Sequence, residues 1–321
     1  MGAMRRALRA MAAAATVAIV TGCGGSQTPF GSALPAGASS TAAHARSGDL
    51  LYVSDTGGRV YIYSYPAGKL VGTLTGFRTP EGLCTDAAGN VYVIDTASVT
   101  ITKYAHGGRK PLAVLHVFGY FPEGCSVDPT SGDLAVADYA GNPSLGSGAI
   151  TIFRNGKGEG KSYQDPSINQ YYFCTYDAQG NLYVDGTNAG TTQTQLAEMP
   201  HGSTSFTNIT LDKDVGKYPL GVQWDGKYVA LQGSTRALYR IKVSGSSGQV
   251  VQTTVFNGDH SDLVTQFTIA GRTIVIPYGT TRRSVRKVGL WPYPAGGAPA
   301  KSLGPPAGVA ELFGTAVSVA H

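Results

Sequence analysis

The chain has 321 residues, a formal net charge of +5, and only 14% of its residues are charged. Three arginines, Arg5, Arg6 and Arg9, fall at the extreme N-terminus, so the remainder is close to neutral and lacks the clustered basic face of a general nucleic-acid binder. No stretch after residue 23 places apolar residues at the 3.6 spacing of a helix, which excludes a solenoid of helix pairs.

The first element is a processing segment. A charged n-region is followed by the apolar run Ala10–Val20, too short for a permanent membrane span, and then by Val20-Thr21-Gly22-Cys23. That tetrapeptide resembles a bacterial lipobox. The resemblance implies a signal peptide over 1–22, cleavage before Cys23 and a diacylglycerol on its thiol, with two or three acyl chains giving stable anchoring at about 0.8 kcal/mol per buried CH₂. Gly24 stands where an Asp would retain a lipoprotein, which resembles the pattern for outer-membrane delivery in a cell that has one. Residues 23–47 comprise this cysteine and a Gly/Ser/Ala/Pro/Thr segment that cannot bury a core, a flexible tether reaching roughly 25–30 Å.

From residue 48 onward a single pattern returns six times. Its clearest copy is Pro80–Asp95, PEGLCTDAAGNVYVID: an alternating strand, a turn carried by Gly89 and Asn90, and the β-branched and aromatic run Val91–Ile94. The glycine before the second strand recurs at Gly48, Gly89, Gly132, Gly180, Gly226 and Gly271. A hairpin glycine keeps the same count at Gly68, Gly107, Gly156, Gly202, Gly245 and Gly296. Four short strands in a fixed period of this length predict a six-bladed β-propeller of four-stranded blades over 48–321. The repeat opens on a second-type strand, and the alternating tail Ala316–Ala320 has no partner after it. The tail is therefore expected to complete the first blade as its inner strand.

The pattern P-x-G, apolar strand, Asp, Gly-Asn, aromatic-Val-x-Asp-Thr resembles the NHL repeat. PEGLCTDAAGNVYVIDT at 80–96 and PEGCSVDPTSGDLAVADY at 122–139 carry the resemblance; the later copies are degraded. It implies the propeller fold, which hosts many activities.

Cys84, Cys125 and Cys174 are read as buried thiols packing as small hydrophobes, with one disulfide permitted by an exported location. Cys125 and Cys174 share a register, and Cys84 is one step out, facing the other way. The run Arg282-Arg283-Ser284-Val285-Arg286-Lys287 reads as a solvated hairpin. Asp residues repeated in the blades, Asp55, Asp95 and Asp138 after the second strand and Asp86, Asp128, Asp177 and Asp225 after the first, read as turn acceptors.

No nucleophile elbow, zinc motif, P-loop or dinucleotide fingerprint is present. The departures from the repeat are expected where the first strands begin, at the mouth of the central channel. Glu81 and Glu123 occupy that position in adjacent blades, and the alignment continues with Tyr172, Leu220, Thr265 and Thr315. Tyr120, Tyr171, Tyr172 and Tyr218, with Phe118 and Phe121, supply aromatic surface suited to sugars or peptide side chains. Gluconolactonase-like propellers resemble this fold, and Glu81-Gly82 matches their metal-binding Glu locally, which implies a divalent cation and a lactonase, hydrolase or lyase using Glu81 and Glu123. Convergent Asn and Asp partners are missing, so the leading expectation is a monomeric, lipid-anchored extracytoplasmic binding or scaffold module. It needs no cofactor, and its partner is a protein or an envelope glycan.

Overall fold

A computed structural model describes residues 48–119, 121–140, 147–188, 190–233, 237–257, 262–263, 266–279, 285–304 and 307–321. Cys23, the tether, Tyr120, Thr265 and residues 282–284 of the basic run lie outside the described residues. Among the described residues no helix is long and apolar enough to cross a membrane.

Six antiparallel blades form a ring. Blade two shows the plan: Pro80–Thr85 innermost, then Val91–Asp95, Thr100–Tyr104 and Pro111–His116 outward. Blade three follows with Pro122–Val127, Leu134–Asp138, Ala149–Phe153 and Lys161–Tyr163. Blade four runs from Gln170–Tyr176 to Thr207–Asn208, and blade five from Gly221–Trp224 to Ser247–Val255. In blade six the inner position is split between Asp262–Leu263 and Thr268–Ala270. Blade one is completed by the chain's last strand, Leu312–Ser318, which pairs with Leu50–Asp55 as the tail predicts.

The core is not one cluster but six, one wedge per seam. Second-strand residues alternate between seams. Val53 faces blade six with Val275 and Val288, whereas Tyr52 faces blade two with Leu83 and Val93. Burial on both faces explains the continuous apolar runs that mark the second strand in the sequence.

Inner strands leave one backbone edge toward the channel, and side chains of the neighbouring blade meet it. Each seam carries such a link. The Ser54 hydroxyl donates to the Glu81 carbonyl. The Tyr176 N–H donates to Ser126 Oγ at 3.0 Å, and the Trp224 N–H to Thr175 Oγ1 at 3.0 Å. The Ile269 N–H donates to the Gln223 side-chain oxygen, and Thr268 Oγ1 to the Thr315 carbonyl.

Between blades two and three the link is covalent: Cys84 and Cys125 form a disulfide, their Cα atoms 5.6 Å apart. This corrects the expectation of three free thiols; only Cys174 is free, and it is buried. The register offset of Cys84 is as expected, but its consequence is the reverse. On adjacent blades, residues one step out of register face each other across a seam. Residues in the same register, Cys125 and Cys174, point the same way round the ring and pack in different wedges.

Candidate functional site

The repeated aspartates do what turn acceptors do. Asp86 accepts from the Ala88 and Asn90 N–H groups, and Asp177 from those of Gln179 and Asn181. The second set holds the loops that lead into the mouth. Asp95 accepts from the Arg78 and Thr79 N–H groups at 2.9 and 2.8 Å. Asp55 accepts from Ala310 and Glu311, and Asp138 from Phe121.

Strand register fixes which residues line the mouth. Leu83 pairs with Val93 as Cys125 does with Val136, Cys174 with Val184, Val222 with Leu231, Thr268 with Val275 and Thr315 with Val53. Two residues upstream, the mouth positions are Glu81, Glu123, Tyr172, Leu220, Gln266 and Phe313. The last two replace Thr265 and Thr315 of the sequence alignment. Thr315 lies deeper, where its hydroxyl joins the Thr268 hydroxyl and the Gln266 carbonyl in the six–one seam.

Immediately below this ring the channel is constricted by residues without side chains. A Cβ on Gly82 would stand 1.9 Å from the Glu123 carbonyl oxygen, and one on Gly314 would stand 2.5 Å from the Glu81 carbonyl oxygen. The room left above Gly314 lets Gln266 reach blade two. Its amide accepts from the Leu83 N–H and donates to the Leu83 carbonyl, both at 2.8 Å. Phe173 and Phe313 close the opposite part of the throat, ring centres 6.4 Å apart.

Glu81 and Glu123 stand side by side on neighbouring inner strands. Thr96 Oγ1 lies 2.8 Å from Glu81 Oε2 and 2.7 Å from the Pro122 carbonyl. Burial raises the Glu81 carboxyl to about 7; the Thr96 hydroxyl opposes the shift, and the charges of Glu311 and Asp95 add to it. Glu123 is partly buried as a residue, with its carboxyl more enclosed than the rest. Burial, then the charges of Glu81, Asp185 and Asp138, push it well above the ordinary carboxylate range. Among the described residues no lysine, arginine or histidine acts on either carboxyl.

The aromatic expectations divide. Tyr172 meets Tyr139 edge to face at 4.9 Å, and the Glu123 and Asp185 charges reach its hydroxyl. Phe118, Phe121 and Tyr218 are 60%, 53% and 42% exposed. Tyr218 holds a left-handed φ of 50°. Tyr171 is fully buried in the wedge between blades three and four, where its hydroxyl accepts the Asp165 N–H. It gives the mouth no surface: the register shift between Tyr171 and Cys174 leaves Tyr171 in the three–four wedge, while Tyr172 and Phe173 both pack toward the four–five wedge.

Two residues that the repeat pattern did not single out stand beside the mouth. Blades four and five replace the repeated second-strand aspartate with Gly186 and Gly233, and carry a polar residue one step earlier, Asp185 and Gln232. Both are fully buried. Asp185 Oδ1 accepts the Phe173 N–H at 2.7 Å, but its Oδ2 and both amide atoms of Gln232 have no hydrogen-bond partner among the described residues. Burial raises Asp185 well above the carboxylate range, against the opposing Phe173 and Gly221 N–H groups. The pair is visible as LYVDG and VALQG against VYVID and LAVAD.

The lower channel widens into a cavity of about 260 Å³ whose lining includes the disulfide, Ser126, Thr175, Gln223 and Thr268. Those four polar side chains are already engaged in seam bonds. No group of three or more His, Cys, Asp or Glu side chains among the described residues converges tightly enough to hold a metal ion.

Together these features define a six-bladed β-propeller with an acidic, aromatic-rimmed channel mouth. Known structures agree on the fold. A propeller in the crystal structure of a nidogen/laminin complex matches with a TM-score of 0.66 at 14% identity, covering 85% of this chain and 99% of that one. A Bacteroides caccae protein of unknown function gives 0.60 at 14% identity, covering 85% and 99%. Hydrazine synthase of Kuenenia stuttgartiensis gives 0.53 at 15% identity, covering 76% and 73%. No family model and no curated protein matches the chain. At these identities the likeness speaks for architecture alone.

Proposed function

We propose that the protein is a lipid-anchored, extracytoplasmic binding or scaffold module of NHL-like type that engages a protein or an envelope glycan at its channel mouth. The observation that carries the reading is the contrast between the two channel ends. At the lower end the channel-lining Ser126, Thr175, Gln223 and Thr268 are engaged in seam bonds, whereas the upper end gathers raised carboxyls, the unpartnered Asp185 Oδ2 and Gln232 amide, and exposed Phe118, Phe121 and Tyr218. Ligand sites concentrate such groups in a concave, partly apolar setting. A similar propeller occurs in a nidogen/laminin complex, which is compatible with a protein partner. The lipobox-like Val20–Cys23 and the Cys84–Cys125 disulfide support a location outside the reducing cytoplasm.

The full-length protein and a Phe118→Ser/Phe121→Ser/Tyr218→Ser variant are compared on arrays of envelope glycans and peptides. Loss of the wild-type signals in the variant supports the mouth; unchanged signals refute it. Anchoring is tested separately by Cys23→Ala, which should move the protein from the membrane to the soluble fraction; retention at the membrane refutes the lipid anchor.

The alternative is a metal-dependent lactonase, hydrolase or lyase using Glu81 and Glu123. It rests on the Glu81-Gly82 resemblance and on the nearness of two carboxyls, one of them titrating near neutrality. Metal-stimulated lactone hydrolysis abolished by Glu81→Gln would establish it.

A further inference from the structure

The upper mouth combines three features not explained by the architecture of the ring. The first is charge of one sign. Glu81 and Glu123 stand on adjacent inner strands, Glu311, Asp95, Asp138 and Asp185 act on one or other of them, and no cationic side chain among the described residues does.

The second is a polar atom left without a partner. Asp185 Oδ1 is fixed by the N–H of Phe173, the residue that follows Tyr172 on the inner strand, so the carboxyl stands level with the constriction. Its Oδ2 is fully buried and unpaired among the described residues. A buried carboxyl in that state costs free energy that a folded protein does not carry without compensation. When ionised, it lies close enough to act on both Glu123 and Tyr172.

The third is the aromatic wall. Tyr139 and Tyr172 meet edge to face, and exposed Phe121 directly precedes the Pro122–Glu123 pair. Ring faces beside carboxylates suit a broad, weakly hydrated cation that can be desolvated cheaply. They suit a small hard cation poorly. Such an ion requires six or more oxygens, and among the described residues no three acids converge on one point.

We propose that the mouth takes the cationic head of an organic ligand, a guanidinium or alkylammonium group, lodged between the Glu81 and Glu123 carboxyls with its stem against Tyr172 and Phe121. The inference rests on the mouth being the binding face and specifies its chemistry. The cation comes either as a free amine-type metabolite or as an Arg or Lys side chain presented by a polypeptide.

The test is calorimetric titration of the full-length protein at pH 8 with agmatine, with acetyl-Ala-Arg-Ala-amide, and with the same peptide carrying neutral citrulline in place of arginine. The Arg peptide is expected to bind at least tenfold more tightly than the citrulline peptide. Agmatine binding equal to or tighter than the Arg peptide assigns a free ligand; weaker agmatine binding assigns a polypeptide. Glu81→Gln/Glu123→Gln should weaken every cationic probe by tenfold or more. Measurable and equal binding of the Arg and citrulline peptides, no binding of any cationic probe, or binding unchanged in the double variant would each overturn the proposal. The peptide comparison uses the unaltered protein, so it remains decisive even where the double variant fails to fold. An array ligand lost in the rim variant but unchanged in the double Gln variant leaves the mouth reading intact and overturns only the cation.

Discussion

The Thr96 hydroxyl lies 2.8 Å from Glu81 Oε2 while also lying 2.7 Å from the Pro122 carbonyl oxygen. A hydroxyl has one proton, and both neighbours are acceptors when Glu81 is ionised. When Glu81 is protonated it donates to Thr96, which then donates to Pro122, and all three groups are satisfied. The geometry therefore agrees with the raised carboxyl, and links its protonation to the contact between blades two and three.

The sign of the pH dependence follows. A carboxyl raised in the folded state holds its proton more tightly there than in the unfolded chain, so its contribution is complete below the unfolded value near 4.5 and is lost as pH rises through about 7. Stability should fall by roughly 1–3 kcal/mol between pH 4.5 and 8, the lower figure applying where channel water screens the site. Glu81→Gln should flatten this limb in urea melts. An equally steep limb in the variant would assign the dependence elsewhere.

Asp225, like Asp86 and Asp128, acts on the acid side. Burial works to raise it, but Arg240 Nε and the Tyr293 hydroxyl, each at 2.6 Å, together with the Tyr228 and Lys227 N–H groups, hold it below the usual carboxylate range. Its contribution is present above the unfolded value and lost as pH falls through the depressed one. Asp225→Ala leaves Arg240 without its carboxylate and should cost about 3–5 kcal/mol. A loss below about 1 kcal/mol in denaturant melts, the scale of an exposed ion pair, would refute this role.

Gly82 tests the constriction. A Cβ there meets the Glu123 carbonyl at 1.9 Å, a contact with backbone that no side-chain rotation relieves. Gly82→Ala should destabilise by about 1–3 kcal/mol or more, where a Gly→Ala change at an open site with ordinary φ stabilises slightly. A variant as stable as wild type would mean that the inner strands are further apart.

The disulfide closes a loop of sequence separation 41, for which chain entropy alone gives about 4 kcal/mol. Cys84→Ser/Cys125→Ser should lose about 2–4 kcal/mol, observable as a lowered urea midpoint. Thiol counting on denatured, unreduced Cys23→Ala protein should find one free cysteine, Cys174; three would contradict the bond.

The fold was legible because the wedge packing repeats. Every second strand is buried on both faces, so Val91–Ile94 and its five counterparts share an apolar signature, and the unpaired tail pointed to closure. The mouth was less legible. Glu81, Glu123 and Tyr172 stand out by departure from the repeat, but the inner strand of blade six is split and Leu312–Ser318 shifts register near Val53, so Gln266 and Phe313 were misplaced by one and two residues. Asp185 and Gln232 are less legible because their departure from the repeat lies in the second strand, not in the first strands whose starts form the mouth. Which cysteines pair was hidden because a seam reverses the meaning of register.

The most direct measurement is a pH titration of ¹³C-labelled glutamate carboxyls, with Glu81 and Glu123 assigned from Glu81→Gln and Glu123→Gln. A buried acidic mouth predicts one resonance titrating near pH 7 and a second above the ordinary carboxylate range, coupled to each other, with both midpoints moving to lower pH on addition of agmatine. Two independent titrations near 4.5, unmoved by agmatine, would contradict both the mouth and the function built on it.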